Sequence, residues 1–228
     1  MQTTTGVLGR GWFTSEKLAQ GYWTTVNTDM LREIPLDAKR VLDVGCGSGG
    51  TGAALKRRQN TEVHGIELDE AAAAKAGTRL DGVWCGDAEK LELAVPDGYF
   101  DCIVYGDILE HLAWPGDLLR KHRRLLAPSG RVVITIPNVQ YVGVIVKLAL
   151  GRWQYAASGI LDSTHLRFFT LRTAVEMLAS AGYTVVAARP SYGRRWFSMV
   201  DVCTAGCFRG LLAYKYTLVA QPTTDGGR

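Results

Sequence analysis

A chain of 228 residues, 47% apolar and 21% charged, can bury one sizeable α/β core and is excluded from the disordered and disulfide-scaffold classes. Its net charge of +4, from 26 basic and 22 acidic residues, is mild and scattered, so no nucleic-acid partner is expected. The short runs Lys56-Arg57-Arg58, Lys121-His122-Arg123-Arg124 and Arg194-Arg195 read as solvated faces.

In chain order, residues 1–39 read as an N-terminal helical cap, rich in aromatics at Trp12, Phe13, Tyr22 and Trp23. Short apolar runs then alternate with helical segments, predicting strands at 40–44, 62–67, 82–85, 100–105 and 131–136. Helices are expected at 50–58, 70–79 and 116–126, with Gly130 ending the last crossover. Strands joined by helical crossovers imply a mostly parallel, Rossmann-like sheet with helices on both faces. The rhythm breaks over 137–169, read as a lid inserted after the fifth strand, above the carboxyl ends where ligands bind. Thr170 N-caps a helix that Gly182 stops, and closing strands at 184–188 and 214–220 bring the sheet to seven. The whole chain therefore reads as one domain, with 40–136 as its binding core and 170–222 as its closing part. The most apolar stretch, 141–150, contains Lys147 and is too short to span a bilayer. The N-terminus shows no signal-type apolar core, and five cysteines without a framework point to a reduced, cytoplasmic protein. Cys46, Cys85 and Cys102 read as small core hydrophobes, while Cys203 and Cys207 are placed on one helix face.

Between the first strand and its helix runs Val41-Leu42-Asp43-Val44-Gly45-Cys46-Gly47-Ser48-Gly49-Gly50. Gly45, Gly47 and Gly50 satisfy GxGxxG, which by itself permits a dinucleotide. Asp43 argues otherwise, because an acid just before the loop opposes a pyrophosphate. The segment from Asp43 to Gly49 resembles motif I of class I S-adenosylmethionine (SAM) methyltransferases. The resemblance covers 40–136 and extends to Glu67 at the second strand end, Gly86-Asp87-Ala88 after the third, and the run from Phe100 to Asp107. It implies that Asp43 meets the methionine ammonium and that Gly45, Cys46 and Gly47 present bare backbone. Glu67 would hold the ribose hydroxyls beside Leu68, Asp87 and Ala88 would receive the adenine, and Gly106 and Asp107 would lie beside the methionine moiety. S-adenosyl-L-homocysteine would be the product. Asp69 reads as a helix cap and Asp101 as structural.

Methyl transfer to oxygen needs a base, and of the four histidines His64 and His122 are placed in structural settings. His111 follows the fourth strand in Asp107-Ile-Leu-Glu110-His111. Quinone-pathway O-methyltransferases carry a similar acid-x-x-Glu-His pattern that binds a divalent metal; here Asp107 stands at the first position, and no metal is expected. The segment from Gly159 to Thr170 resembles a run in methyltransferases of bacterial glycan and natural-product clusters. It implies that His165, oriented by Asp162, is the base, against a structural alternative in which Asp162, His165 and Arg167 anchor the lid. The resulting expectation is O-methylation of a sugar or natural-product hydroxyl, with a homodimer as the assembly. N-methylation of a small amine and a non-catalytic SAM-binding module stand as alternatives.

Overall fold

Alternating apolar runs and helices build one seven-stranded sheet in the computed structural model, which describes residues 26–223. The elements are α1 (Thr28–Glu33), β1 (Arg40–Val44), α2 (Gly50–Arg58), β2 (Glu62–Glu67), α3 (Glu70–Gly77), β3 (Gly82–Cys85), β4 (Phe100–Gly106), α4 (Pro115–Arg123) and β5 (Leu126–Pro137). After these come α5 (Val142–Ala149), α6 (Leu171–Ser180), β6 (Tyr183–Tyr192), α7 (Arg195–Cys203), α8 (Arg209–Leu212) and β7 (Ala213–Pro222). The strand order is β3-β2-β1-β4-β5-β7-β6, with β7 antiparallel to both of its neighbours. Because the order reverses between β1 and β4, their carboxyl ends open a crevice. The glycine turn leaves β1 at that point.

Period-two alternation along β1 divides the core. Leu42 and Val44 face a cluster with Phe100, Ile103, Tyr105, Leu119 and Leu178, so this face carries α4 and α6. Val41 faces the other way, onto Met30, Leu55, Val63 and Val104 from α1, α2 and the adjoining strands. Caps fall where short polar side chains precede helices. Asp69 Oδ1 accepts from Ala72 N at 2.8 Å, and Thr170 forms a reciprocal capping box with Thr173. Asp101 Oδ2 accepts from Lys39 N and Arg40 N at 2.8 and 2.9 Å, pinning the entry to β1.

Four expectations need correction. Helix α4 ends at Arg123 and β5 starts at Leu126, with a register shift against β4; Gly130 therefore lies inside the strand and caps nothing. There a Cβ would stand 2.7 Å from Leu126 Cγ, a close approach that only glycine allows. Cys85 is exposed, because it ends a short edge strand. Cys203 ends α7, and Cys207 lies beyond a break at Ala205 and Gly206, both at positive φ, so the two do not share a helix. Finally, the segment between the last two strands holds two helices, α7 and α8, where the only expectation was a helix face shared by Cys203 and Cys207.

The 137–169 insertion contains α5 and a small core of its own, Val144, Ile160 and Leu161 packed with Tyr141, Phe168 and Tyr214. It is stitched at its base by a bridge between Asn138 and Phe169. The aromatic residues Trp12, Phe13, Tyr22 and Trp23 lie outside the described residues. Among the described residues no helix is long and apolar enough to cross a membrane.

Candidate active site

Left-handed backbone shapes the turn after β1: Gly45, Gly47 and Gly49 have φ of 74°, 55° and 78°. A Cβ on Gly45 would stand 2.9 Å from Ile108 Cγ1, so this glycine also lets the end of β4 approach. Gly45 N and Cys46 N donate to Ile66 O at 2.8 and 3.0 Å, tying the turn to β2. Helix α2 starts at Gly50 with no acid in its first turn, leaving its N-terminal amides to an anionic ligand group.

Two buried carboxylates lie under the turn, each only 4% exposed. Glu67 Oε2 accepts from Gly47 N at 2.8 Å and Oε1 from Asp69 N at 2.9 Å. Burial raises its pKa against those hydrogen bonds. Asp43 accepts no hydrogen bond from any described residue. Burial first, and the charge of Glu67 second, push it up to about 7. A carboxyl in that state is short of a cation, which fits a ligand carrying an ammonium. Leu68 beside it is 54% exposed, a large apolar side chain at the mouth. Asp87 accepts from Glu89 N and pairs with Lys90 at 2.9 Å, while Ala88 joins the core beneath. Gly86 N donates to Glu67 O at 2.8 Å, bringing the ends of β2 and β3 together.

At the end of β4, Gly106 is followed by Asp107 at φ 51°, one of two described non-glycine residues at positive φ. Asp107 N donates to Thr135 Oγ1 at 3.0 Å, and Asn27 Nδ2 bridges Asp107 Oδ2 and Thr135 Oγ1 at 3.1 and 2.9 Å. Lys215 Nζ is 3.8 Å from both Asp107 and Asp29. These contacts turn Asp107 toward Asn27 and Lys215. A single 3-10 turn, Leu109–His111, then carries Glu110 and His111.

Here the lid meets the core. Leu166 N and Arg167 N both donate to Glu110 O, at 2.8 and 3.0 Å, and Arg167 Nη2 donates to Ala113 O. Thr164 donates its hydroxyl to Asp162 Oδ1 at 2.7 Å, while its Oγ1 and O lie 3.1 and 3.2 Å from His111 Nδ1. With that hydroxyl proton committed to Asp162, both Thr164 oxygens accept from His111, so Nδ1 carries a proton and, in the neutral ring, Nε2 holds the lone pair. His165 Nδ1 likewise donates to Ile160 O at 3.0 Å, and its Nε2 lies 3.9 Å from Glu110 Oε1. The two imidazole rings meet edge to face, centroids 4.7 Å apart. Glu110 is 2% exposed and neither side-chain oxygen has a partner. Burial, with Asp107 second, holds its pKa well above the usual carboxylate range. One ligand atom each from Glu110, His111 and His165 lies within 4.8 Å of the others, a spacing that could also accept a divalent ion.

The expected cofactor residues Asp43, Gly45, Cys46, Gly47, Glu67, Leu68, Asp87, Ala88, Gly106 and Asp107 thus all fall at the carboxyl ends of β1–β4. His111, Asp162 and His165 form a second group beside them. The carboxylate of Asp162 holds Thr164, and the carboxyl within 4 Å of His165 Nε2 is that of Glu110. Sequence reading missed Thr164 as a member of this group, and it placed Glu110 beside His111 without revealing that its carboxyl would be buried next to His165. The other two histidines sit apart. His64 pairs with Glu62 and stacks on Trp84, and His122 is buried against Tyr105 OH, its pKa lowered to about 4 by burial.

A seven-stranded sheet with β7 reversed, a glycine turn over two buried acids and a further acid after β3 define a class I SAM-dependent methyltransferase. Residues 16–188 match a family model described as a methyltransferase domain, and the chain belongs to that family. It is 31% identical over 137 residues to 27-O-demethylrifamycin SV methyltransferase of Amycolatopsis mediterranei, covering 52% of this chain and 50% of that protein. It is 34% identical over 111 residues to the ubiquinone biosynthesis O-methyltransferase of Pseudomonas aeruginosa, covering 45% and 46%. The chain therefore spans about half the length of the curated relatives it matches. In fold it superposes on a SAM-dependent methyltransferase from Archaeoglobus fulgidus with a TM-score of 0.67 at 18% identity, covering 91% of this chain and 99% of that one. SAM is accordingly the cofactor, and the unpaired Asp43 carboxyl is the feature of the site that fits it most directly.

Proposed function

We propose that the protein methylates a hydroxyl of a small molecule, a sugar or other natural product, in the cytoplasm, with an imidazole as general base. Asp43, Glu67 and the glycine turn bind SAM, and the bound sulfonium supplies the electrophilic methyl group. The residues of this chain position the acceptor and take its proton. Positioning provides most of the rate, and the base adds about 100-fold to 10,000-fold.

The observation that carries this reading is the Asp162–Thr164–His111 chain beside the end of β4. It fixes a tautomer with a basic Nε2 on His111, which is half-buried, whereas the His165 side chain is 6% exposed. The geometry therefore favours His111 as the base, with His165 and the buried Glu110 packed against it. The names of the relatives above, a 27-O-demethylrifamycin SV methyltransferase and a ubiquinone biosynthesis O-methyltransferase, agree with a hydroxyl acceptor.

The test is mass-spectrometric detection of S-adenosylhomocysteine and of the methylated product across matched panels of hydroxyl and amine acceptors. Turnover confined to hydroxyls supports the proposal. Turnover confined to amines moves it to N-methylation, and tight SAM binding without turnover on either panel leaves a binding module. EDTA should leave activity unchanged. A reversible loss would transfer the role of Glu110, His111 and His165 from proton transfer to metal binding.

A further inference from the structure

Helix α5 turns apolar side chains outward: Ile145 is 41% exposed, Val146 and Leu148 are each 51%, and Leu150 just beyond is 65%. Along one side of it runs a groove of about 650 Å³, lined chiefly by Val139, Val144, Ile145, Leu148, Trp153 and Phe168. That volume is in the usual range for small-molecule sites, whereas an apolar face of this kind is uncommon on a protein surface with nothing to bind.

The groove borders the candidate active site, sharing two wall residues with it. Val139 and Phe168 also line a narrow cleft whose other walls include Glu110, Pro137 and His165. Aromatic rings connect the two without a break. Trp153 meets Phe168 edge to face at 5.4 Å, Phe168 meets His165 at 6.2 Å, and His165 meets His111 at 4.7 Å. A ligand with its reacting hydroxyl at the imidazoles would thus have an apolar wall on which to lay anything attached to it.

The geometry points to this groove as the subsite for an aliphatic chain carried by the methyl acceptor, so that the substrate is an amphiphile with a polar, methylated head and an apolar tail. This rests on the reading of the imidazole cluster as the acceptor site. The groove exposes mostly apolar surface, with Gln140, Thr170 and Arg172 as its polar members, and it begins where the head group ends. Each methylene transferred from water into it should tighten binding about fourfold.

The experiment uses the full chain saturated with S-adenosylhomocysteine and a series of alkyl β-D-glucosides from methyl to decyl, each below its micelle concentration. Affinity is followed by calorimetry and by tryptophan fluorescence. Affinity should rise about fourfold per methylene until the groove is filled. Leu148→Glu and Ile145→Glu should weaken the longer glucosides at least tenfold with circular dichroism and melting unchanged. Val146→Glu, on the same helix but outside the groove lining, should leave binding intact. A flat dependence on chain length would overturn the proposal, as would equal losses from Leu148→Glu and Val146→Glu. Co-sedimentation with phosphatidylglycerol vesicles, lost in both variants and unaccompanied by chain-length dependence, would overturn it in favour of membrane docking. Because binding is read without turnover, failure here leaves the methyltransferase reading standing. Conversely, chain-length-dependent binding with no turnover on any hydroxyl would refute that reading while the subsite stood.

Discussion

On the β1–β2 side of the crevice, the polar groups are main-chain amides and carboxyls held inside the sheet. Glu67 gives one oxygen to the glycine turn and the other to Asp69 N at the start of α3, and Asp43 is buried close to it. Beyond β4 and β5 the groups are imidazoles, a threonine hydroxyl and apolar side chains, on an insertion whose core consists of three buried residues. The first side is fixed by strand register, in which Asp43 pairs with Gly65 and Val104. The second depends on a few lid contacts, chief among them the two amides that reach Glu110 O. A chemically constant ligand suits the first construction and a ligand that varies between relatives suits the second.

The contrast is open to attack at its strongest point first. Asp43→Ala and Glu67→Ala should each weaken SAM binding about 100-fold or more in calorimetry, since each removes a buried charged partner. Unchanged affinity in both variants would remove the cofactor side of the comparison altogether. On the acceptor side, His111→Ala should lower kcat about 100-fold with SAM affinity intact. If His165→Ala matches that loss without unfolding, the base assignment moves to His165; if it lowers the melting temperature instead, His165 anchors the lid.

The two sides should also titrate differently. Asp43 must ionise to pair with the cofactor ammonium, and burial holds its pKa near 7. SAM affinity should therefore rise about tenfold per pH unit from 5.5 to 7 and then level off. The linked effect on the cofactor-free protein has the opposite sign. Its carboxyl stays protonated when folded but ionises when unfolded, so stability falls as pH rises from about 4 to about 7. A flat binding profile would mean that Asp43 does not face the cation. The smallest expected effect is Thr164→Val, which removes one of two acceptors for His111 Nδ1. It should lower kcat about tenfold and displace the kinetic pKa, with serine at that position restoring both.

Strand placement was legible wherever an apolar run stops at a residue with a fixed job. β1 ends before Gly45, β2 at Glu67 and β3 at Cys85, as the sequence pattern places them. β5 was misjudged at its start because the Ala-Pro-Ser-Gly stretch at 127–130 carries turn chemistry, yet it is a bulge inside the strand, between the pairs Phe100–Leu126 and Cys102–Arg131. The bounds of helix α7 were missed since 193–212 mixes glycine, arginine and cysteine without a clean period. In the site, acids at strand ends announce themselves through one-dimensional spacing. Thr164 and Glu110 do not, because their roles arise where a distant lid folds back onto the turn after β4.

Asn138 is where the reversed strand β7 leaves its mark. Running against β5, β7 sets Lys215 beside Pro137, so the chain entering the lid passes the chain leaving α8. Asn138 N donates to Tyr214 O, and Asn138 Nδ2 reaches both Gly210 O and Ala213 O at 2.8 Å. One residue therefore ties together two segments, the insertion after β5 and the α7–α8 segment before β7. Joined at one residue, the two should open together, with a single free energy of opening governing hydrogen exchange in both.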